Sequence, residues 1–407
     1  MTNESNPRRR QQMREAALHQ LIDGYGRTDH ILVPQRVPDE DAGRETSEPA
    51  VPAPPAVLDA AATPHHVAEP DMAPRLRLFD PAVIAQLLES VEAYSKFNER
   101  RVTLERSLKP FTDARSDATG AVPLAEVSAS LELDLQRLRA SMPNFARVID
   151  AIEPVLQLQR GGDRALRMPP LLLLGPPGVG KSYFAEQLAH TLRLHYAAIS
   201  LETTTAVWVL SGSSQGWSGG GPGIVFNTLA SAPHANPLIL LDEIDKTSDS
   251  RYPPINALYR LLEPHSAARF CDEAFPALQL DASAINWVIT ANVIEPIPAP
   301  LRSRMQCFDV PEPNAAQRQS IIAQIYCALI ASEAWGHRFA PTLDAHTLRT
   351  LAGAPGGVRD LRRTLIQACA YAQTAQRDTL TPGDAIAAMR INTATLDLAA
   401  MEPAGHA

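Results

Sequence analysis

A glycine-rich segment in the middle of the chain constrains its fold more than any other feature. It matches the spacing G-x-x-x-x-G-K-[ST], and its residues are Gly175, Pro176, Pro177, Gly178, Val179, Gly180, Lys181 and Ser182. Glycines allow successive backbone N–H groups to turn toward phosphate oxygens, because no Cβ stands in the way. The lysine is expected to reach the β- and γ-phosphates of ATP, and the serine hydroxyl to bind Mg²⁺.

The residues around this segment fit a strand, a loop and a helix. Residues 171–174 are a short apolar run of the kind found in buried parallel strands. After the loop, Phe184, Leu188 and Leu192 recur at helical spacing. The pattern therefore predicts a helix whose N-terminus faces the phosphates.

A second apolar run, residues 237–241, is followed directly by acidic side chains. In a sheet shared with the phosphate loop, these acids lie at the edge where the nucleotide binds. Asp242 is expected to hold Mg²⁺ through water, and Glu243 to polarise the water that attacks the γ-phosphate. A third buried run, residues 285–291, ends at Asn292, which we expect to orient that water beside Glu243.

The alternation of strands and helices predicts a right-handed parallel α/β sheet, and the chain divides around it. We expect a disordered arm and linker over residues 1–75, and a helical segment over residues 76–160. The α/β nucleotide-binding domain is predicted for residues 161–312, an all-helical lid for residues 313–394, and a tail for residues 395–407. Within the helical segment, a helix from Asp80 to Pro110 and another through residues 127–138 pack as a hairpin or pair with helices of a partner.

Composition limits the possible partners and location. The net charge of −8 argues against a surface that coats nucleic acid, although Arg8, Arg9 and Arg10 form a basic cluster near the N-terminus. The four cysteines are far apart, which predicts reduced thiols and no zinc site. No apolar run is long enough to span a bilayer, so we expect a soluble, cytoplasmic protein with no membrane partner.

These motifs together resemble the AAA+ ATPases, and within them the ATPase module of Lon protease, over roughly residues 145–390. The resemblance makes residues 175–182 the Walker A loop, Leu240 to Asp245 the Walker B strand, and Asn292 the sensor-1 residue. The run from Ile297 to Met305 is similar to the Lon stretch that carries the arginine finger. Arg304 is the better finger candidate and Arg302 its rival.

Two further residues take their expected roles from the same resemblance. Arg359, in Gly357-Val358-Arg359, looks like the sensor-2 arginine that reaches the γ-phosphate from the lid. Trp217 lies where the Lon-like pore loop has its aromatic residue, ahead of Pro222-Gly223, although Ser218 replaces the usual aliphatic residue. From the sequence alone, this tryptophan either fills a nearby core or is displayed for contact.

An arginine finger comes from a neighbouring subunit, so the resemblance implies a ring homo-oligomer, usually a hexamer. The expected activity is ATP hydrolysis that remodels or unfolds a protein substrate of unknown identity. The remaining sequence is too short for the Lon protease domain, so we expect no peptidase activity from this chain itself. Two alternatives stay open: a slow nucleotide-switched scaffold that tolerates Trp217→Ala, and a nucleic-acid motor, which the acidic balance disfavours.

Overall fold

The computed structural model describes residues 73–92, 99–112, 115–201, 208–213, 220–246, 255–354 and 356–400. The predicted disordered arm lies outside the described residues as far as residue 72, and Trp217 lies outside them as well. No helix within the described ranges is both long and apolar enough to cross a lipid bilayer.

The first part of the chain contains strands β1 (Arg75–Arg77) and β2 (Ala121–Pro123) and helices α1 (Pro81–Glu92), α2 (Glu99–Leu108), α3 (Leu131–Ser141) and α4 (Ala146–Arg160). The middle part contains β3 (Leu171–Leu174), α5 (Lys181–Thr191), β4 (Tyr196–Ser200), α6 (Trp208–Ser211), α7 (Ile224–Ser231), β5 (Leu238–Asp242), α8 (Ile255–Leu261), α9 (Pro264–Ala267), β6 (Phe270–Cys271), β7 (Gln279–Leu280), β8 (Asn286–Ala291), α10 (Ala299–Arg302) and β9 (Gln306–Asp309). The last part contains α11 (Ala315–Ser332), α12 (Ala345–Ala352), α13 (Val358–Thr374) and α14 (Pro382–Ala400).

A five-stranded sheet lies at the centre, in the order β4-β5-β8-β3-β9. Every neighbouring pair is parallel, and Leu171 of β3 is opposite Val288 of β8 on one side and Gln306 of β9 on the other. The predicted parallel α/β sheet is therefore confirmed. Strands β3, β5 and β8 end at the same edge, so the phosphate loop after β3 lies next to the end of β8, with the acidic end of β5 on the far side of β8.

Side chains along each central strand alternate between two hydrophobic clusters, one on each face of the sheet. In β5, Ile239 and Leu241 belong to the first cluster, and Leu238 and Leu240 belong to the second. Helices α1, α2, α7 and α8 contribute to the first cluster, whereas α3, α4 and α5 contribute to the second. The sheet is thus covered by helices on both faces, as all-parallel sheets require.

The N-terminal helices differ from their prediction in two ways. The apolar pattern between Asp80 and Pro110 predicted one helix, but the structure has two, α1 and α2, which contact each other. The predicted hairpin with the next helix does not form, because α1 and α2 pack on one face of the sheet and α3 on the other. The distribution of these helices depends on contacts with the sheet, which periodicity along the chain does not encode.

The lid is helical throughout, as predicted. Helices α11 to α14 surround one cluster of apolar side chains that includes Tyr326, Leu351, Leu365 and Cys369. A capping box at Asn314 begins α11, where the Asn314 side chain accepts a hydrogen bond from the backbone N–H of Gln317. The last helix continues to residue 400, six positions beyond the predicted end of the lid at residue 394.

Candidate functional site

The phosphate loop connects the buried strand β3 to the N-terminus of α5. Gly180 occupies the N-cap of α5 with a φ of 99°, a left-handed conformation that glycine adopts without strain. A Cβ on Gly175 would lie 2.3 Å from the carbonyl oxygen of Val310, so the loop passes directly over the end of β9. These contacts explain why glycine occupies both positions in the motif.

Lys181 lies at the centre of the site and is only 8% exposed. Its Nζ donates hydrogen bonds to the carbonyl oxygens of Gly175 (2.6 Å) and Pro176 (3.1 Å) and to Oδ1 of Asn292 (2.9 Å). Burial lowers the pKa of Lys181, while the carboxylate of Asp242 acts in the opposite direction. The ammonium group is therefore held between the loop and the end of β8.

The acidic end of β5 contacts the loop through Ser182. The Ser182 hydroxyl donates to Oδ2 of Asp242 at 2.7 Å, and the other carboxylate oxygen, Oδ1, accepts a hydrogen bond from the Thr290 hydroxyl. A serine hydroxyl beside one carboxylate is the donor set that Mg²⁺ uses when phosphates and water complete its shell. Within the described residues, no group of three or more His, Cys, Asp or Glu side chains could hold a metal ion. The residues present therefore fit Mg²⁺ bound together with a nucleotide.

Glu243 adopts an unusual backbone conformation beside Asp242. Its φ of 60° lies in the left-handed region, which costs a non-glycine residue of order 1–3 kcal/mol. The backbone N–H of Glu243 donates to the Thr290 hydroxyl at 3.0 Å, and its side chain pairs with Lys246 at 3.1 Å. Thr290 therefore contacts both acidic residues, a role that the sequence analysis missed.

Asn292 is held by a second carboxylate. Oδ2 of Asp245 accepts hydrogen bonds from the backbone N–H groups of Asn292 (3.0 Å) and Val293 (3.1 Å). The ends of β3, β5 and β8 thus bring Lys181, Ser182 and Asn292 together with the acids. Asp245 belongs to the segment that resembles the Walker B strand, but that segment alone does not predict the contact of Asp245 with the end of β8.

The two finger candidates lie outside this cluster, at α10. The Arg304 guanidinium donates to the carbonyl oxygen of Pro300 at 2.6 Å, lies 3.6 Å from a carboxylate oxygen of Glu263, and stands over the ring of Tyr259. Arg302 is partly exposed. Among the interactions of the described residues, neither arginine contacts Lys181 or the acids at the end of β5.

The lid contacts the phosphate loop through the start of α13. The backbone N–H of Val358 donates to the carbonyl oxygen of Gly178 at 2.9 Å. Arg359, the next residue, is exposed. The sensor-2 candidate therefore lies one residue from a direct contact between lid and loop.

A cavity of about 210 Å³ lies beside the loop, between α5, the lid and the turn that precedes α4. Its lining includes Met142, Asn144, Tyr183, Ile321 and Val358. The turn is fixed because Phe145 stacks on Phe184 of α5, with ring centroids 4.3 Å apart. The sequence analysis did not predict this cavity, because its walls come from three distant parts of the chain.

The central part of the chain matches a known family of ATPases. Residues 171–310 match the sequence model of the ATPase family associated with various cellular activities (AAA). This stretch, from β3 to the residue after β9, therefore matches an AAA ATPase domain. Over its AAA region the chain is related to Lon proteases, which confirms the resemblance drawn from the motifs.

Two relatives give the extent of that similarity. The peroxisomal Lon protease homolog 2 of Oryza sativa subsp. indica is 32% identical over 227 residues, which cover 53% of this chain and 26% of that protein. Lon protease 2 of Myxococcus xanthus is 29% identical over 282 residues, which cover 66% of this chain and 34% of that protein. The matched region thus spans about a quarter to a third of these relatives.

Among solved structures, the RuvB Holliday junction branch migration motor of Thermotoga maritima is similar to this chain with a TM-score of 0.41. The sequence identity is 16%, and the similarity covers 60% of this chain and 68% of that chain.

Proposed function

We propose that this protein binds ATP with Mg²⁺ at the edge of the sheet and hydrolyses it to drive the remodelling of a protein substrate. The observation that carries the proposal is the pair of contacts that Lys181 makes with Asn292 and Ser182 makes with Asp242. These contacts join the residues that follow the phosphate loop to the ends of β8 and β5. The part of the proposed site that would bind phosphate and Mg²⁺ therefore comes from one chain.

In this mechanism, Lys181 exchanges its carbonyl acceptors for oxygens of the β- and γ-phosphates, and the loop N–H groups bind the same phosphates. Ser182 and Asp242 would hold Mg²⁺, which neutralises phosphate charge when bound. Glu243 accepts a proton from the attacking water, and Asn292 orients that water. The contact between Lys181 and Asn292 supports the role proposed for Asn292, because Lys181 is expected to reach the γ-phosphate.

The cavity beside the loop is proposed to receive the base of the nucleotide. Tyr183 and Met142 provide apolar surface, and Ile321 and Val358 belong to the lid. A base in this cavity contacts both domains, so nucleotide state would set the lid position. Arg359 is proposed to contact the γ-phosphate and so to couple its presence to the position of the lid.

The active form is proposed to be a ring homo-oligomer, a hexamer by analogy with the family, in the cytoplasm. Arg304 of a neighbouring subunit would stabilise charge on the transferred phosphoryl group, with Arg302 as the rival. Its present partner, Glu263, lies at the end of α8, so a ring contact would have to release that ion pair. Trp217 is proposed to contact the protein substrate.

The Glu243→Gln variant tests the catalytic assignment. We expect ATP affinity within about threefold of the wild type and turnover at least about 100-fold lower, because only the base is lost. The Lys181→Met variant is the control, and it should lose ATP binding itself. A Glu243→Gln variant that hydrolyses ATP at the wild-type rate would disprove the role of Glu243.

A further inference from the structure

The glycine-rich segment that contains Trp217 begins and ends at a closed stem. The backbone N–H of Ser213 donates to the carbonyl oxygen of Gly221 at 2.9 Å. In return, the backbone N–H of Gly221 donates to the Ser213 hydroxyl at 3.3 Å. Ser213 and Gly221, which lie on either side of Trp217 in the sequence, are therefore held together.

A buried carboxylate lies against this stem. Asp272, in the connection between β6 and β7, is 1% exposed. Its Oδ2 accepts a hydrogen bond from the backbone N–H of Gly223 at 2.9 Å, and its Oδ1 accepts one from Ala274 at 2.8 Å. The next residue, Glu273, donates its backbone N–H to the carbonyl oxygen of Ser211 at 2.7 Å. The hairpin thus contacts both the entering and the leaving side of the stem.

The stem has glycine at the two positions where Asp272 and Leu210 approach its backbone. A Cβ on Gly212 would lie 1.9 Å from Oδ1 of Asp272, and a Cβ on Gly223 would lie 2.4 Å from the carbonyl oxygen of Leu210. Burial raises the pKa of Asp272 to about 6, because a buried site disfavours the charged form of the carboxylate. A buried acid whose ligands are backbone N–H groups fixes the position of those groups.

We propose that Asp272 is a positioning residue that fastens the stem of the Trp217 segment to the β6–β7 hairpin. We name Ser211, Gly212, Gly223 and Asp272 together the clasp. The hairpin is followed in the chain by β8, which contains Thr290 and is followed by Asn292, so the clasp connects the stem to the strand beside the proposed nucleotide site. The contacts of the clasp do not depend on the proposed function. Its effect on substrate handling does depend on the proposed function.

The test compares the Asp272→Asn and Asp281→Asn variants of the full chain by amide hydrogen exchange. Asp281 is a matched control, because it also bonds local groups, the backbone and hydroxyl of Ser283, but contacts no clasp residue. An amide in place of the carboxylate can accept from only one of the N–H groups of Gly223 and Ala274, and its NH₂ group then faces the other, so the link between the hairpin and the stem is weakened. We expect exchange over residues 208–213 and 220–226 to become about tenfold faster in Asp272→Asn only, with β3 and β5 unchanged.

A kinetic measurement separates positioning from a general loss of structure. The kcat and KM for ATP should stay within about twofold of the wild type in Asp272→Asn, because the clasp contacts no proposed catalytic group. A folded Asp272→Asn variant whose clasp amides exchange at the wild-type rate would overturn the proposal. An equal increase in the exchange rate of the clasp amides in Asp281→Asn would overturn it as well. If Asp272→Asn does not fold, the Gly212→Ala variant provides the test, because its Cβ must displace the carboxylate of Asp272. Unchanged hydrogen exchange in Gly212→Ala would then overturn the proposal. A wild-type protein without ATPase activity would contradict the proposed function and leave the exchange test of the clasp intact.

Discussion

Gly357 of the lid lies so close to Gly178 of the phosphate loop that no side chain fits between them. A Cβ on Gly357 would lie 2.7 Å from the carbonyl oxygen of Gly178 and 2.9 Å from its Cα. The neighbouring Val358 N–H donates to that same carbonyl oxygen. The first turn of α13 therefore packs directly against the backbone that is proposed to bind phosphate.

The Gly357→Ala variant tests this contact. Its Cβ has no room, so we expect the lid to shift away from the loop and ATP affinity to fall by about tenfold or more, as overpacking of a close contact does. Gly357 has a φ of −82°, so alanine adds no backbone strain. Titration with a fluorescent ATP analogue measures the affinity.

Gly353→Ala is the matched control, because Gly353 lies four residues before Gly357 in the same connection between α12 and α13. Its Cβ would meet its nearest atom, the carbonyl oxygen of Thr350, at an ordinary 3.5 Å. We expect wild-type ATP affinity from this variant. Equal affinities for Gly357→Ala and Gly353→Ala would show that the contact between lid and loop does not affect binding.

The Thr290→Val variant tests the bridge between the two acids. Valine keeps the shape of the side chain but removes the hydroxyl that donates to Asp242 and accepts from the Glu243 N–H. Loss of one such buried partner costs about 1–3 kcal/mol, so we expect ATP turnover to fall by about tenfold. The Thr290→Ser variant keeps the hydroxyl and should retain most of the activity. Steady-state ATPase rates compare the two, and equal rates would contradict the bridging role.

The Asp384→Asn variant tests the stability of the lid. Asp384 accepts two hydrogen bonds of 2.6 Å from the Arg377 guanidinium and others from Thr381, which together lower its pKa to about 2. We expect the variant to lower the free energy of unfolding by about 2 kcal/mol at pH 7, as charged hydrogen bonds contribute. Urea unfolding measures the difference, and Asp378→Asn, an exposed neighbour, should cause almost none.

The pH dependence of this effect follows from the direction of the pKa shift. The folded-state pKa of Asp384, about 2, lies below the ordinary value of 3.8. The stabilisation is therefore complete above about pH 4 and is lost as the pH falls from about 4 to about 2. The difference between wild type and Asp384→Asn should shrink over that range. A difference that stays constant would contradict the ion-pair explanation.

The sequence predicted the sheet and most of the proposed site because both are encoded locally. Residues 171–174, 237–241 and 285–291 are apolar runs that end in polar residues, and all three are strands that end at the site. The caps at Asn314 and Asp344 likewise begin helices through hydrogen bonds to residues two or three positions further on. Each of these features depends on neighbours within a few residues.

Features that depend on distant contacts were missed. Strand β9 is a short edge strand with mostly exposed side chains, so its existence follows from pairing with β3 rather than from an apolar pattern. The role of Thr290 depends on the register between β5 and β8, and the clasp depends on a hairpin far along the chain from Gly223. Short motifs do not specify such pairings.

The central claim is that this chain hydrolyses ATP at a site completed by a neighbouring subunit. The most direct test is the ATPase rate per subunit as a function of protein concentration, with sizing in the presence and absence of ATP, for wild type, Arg304→Ala and Arg302→Ala. We predict that the wild-type rate rises with assembly. In Arg304→Ala, it should fall by at least about 100-fold while the ring persists. A monomer with a low, concentration-independent rate that is unaffected by either substitution would contradict the claim.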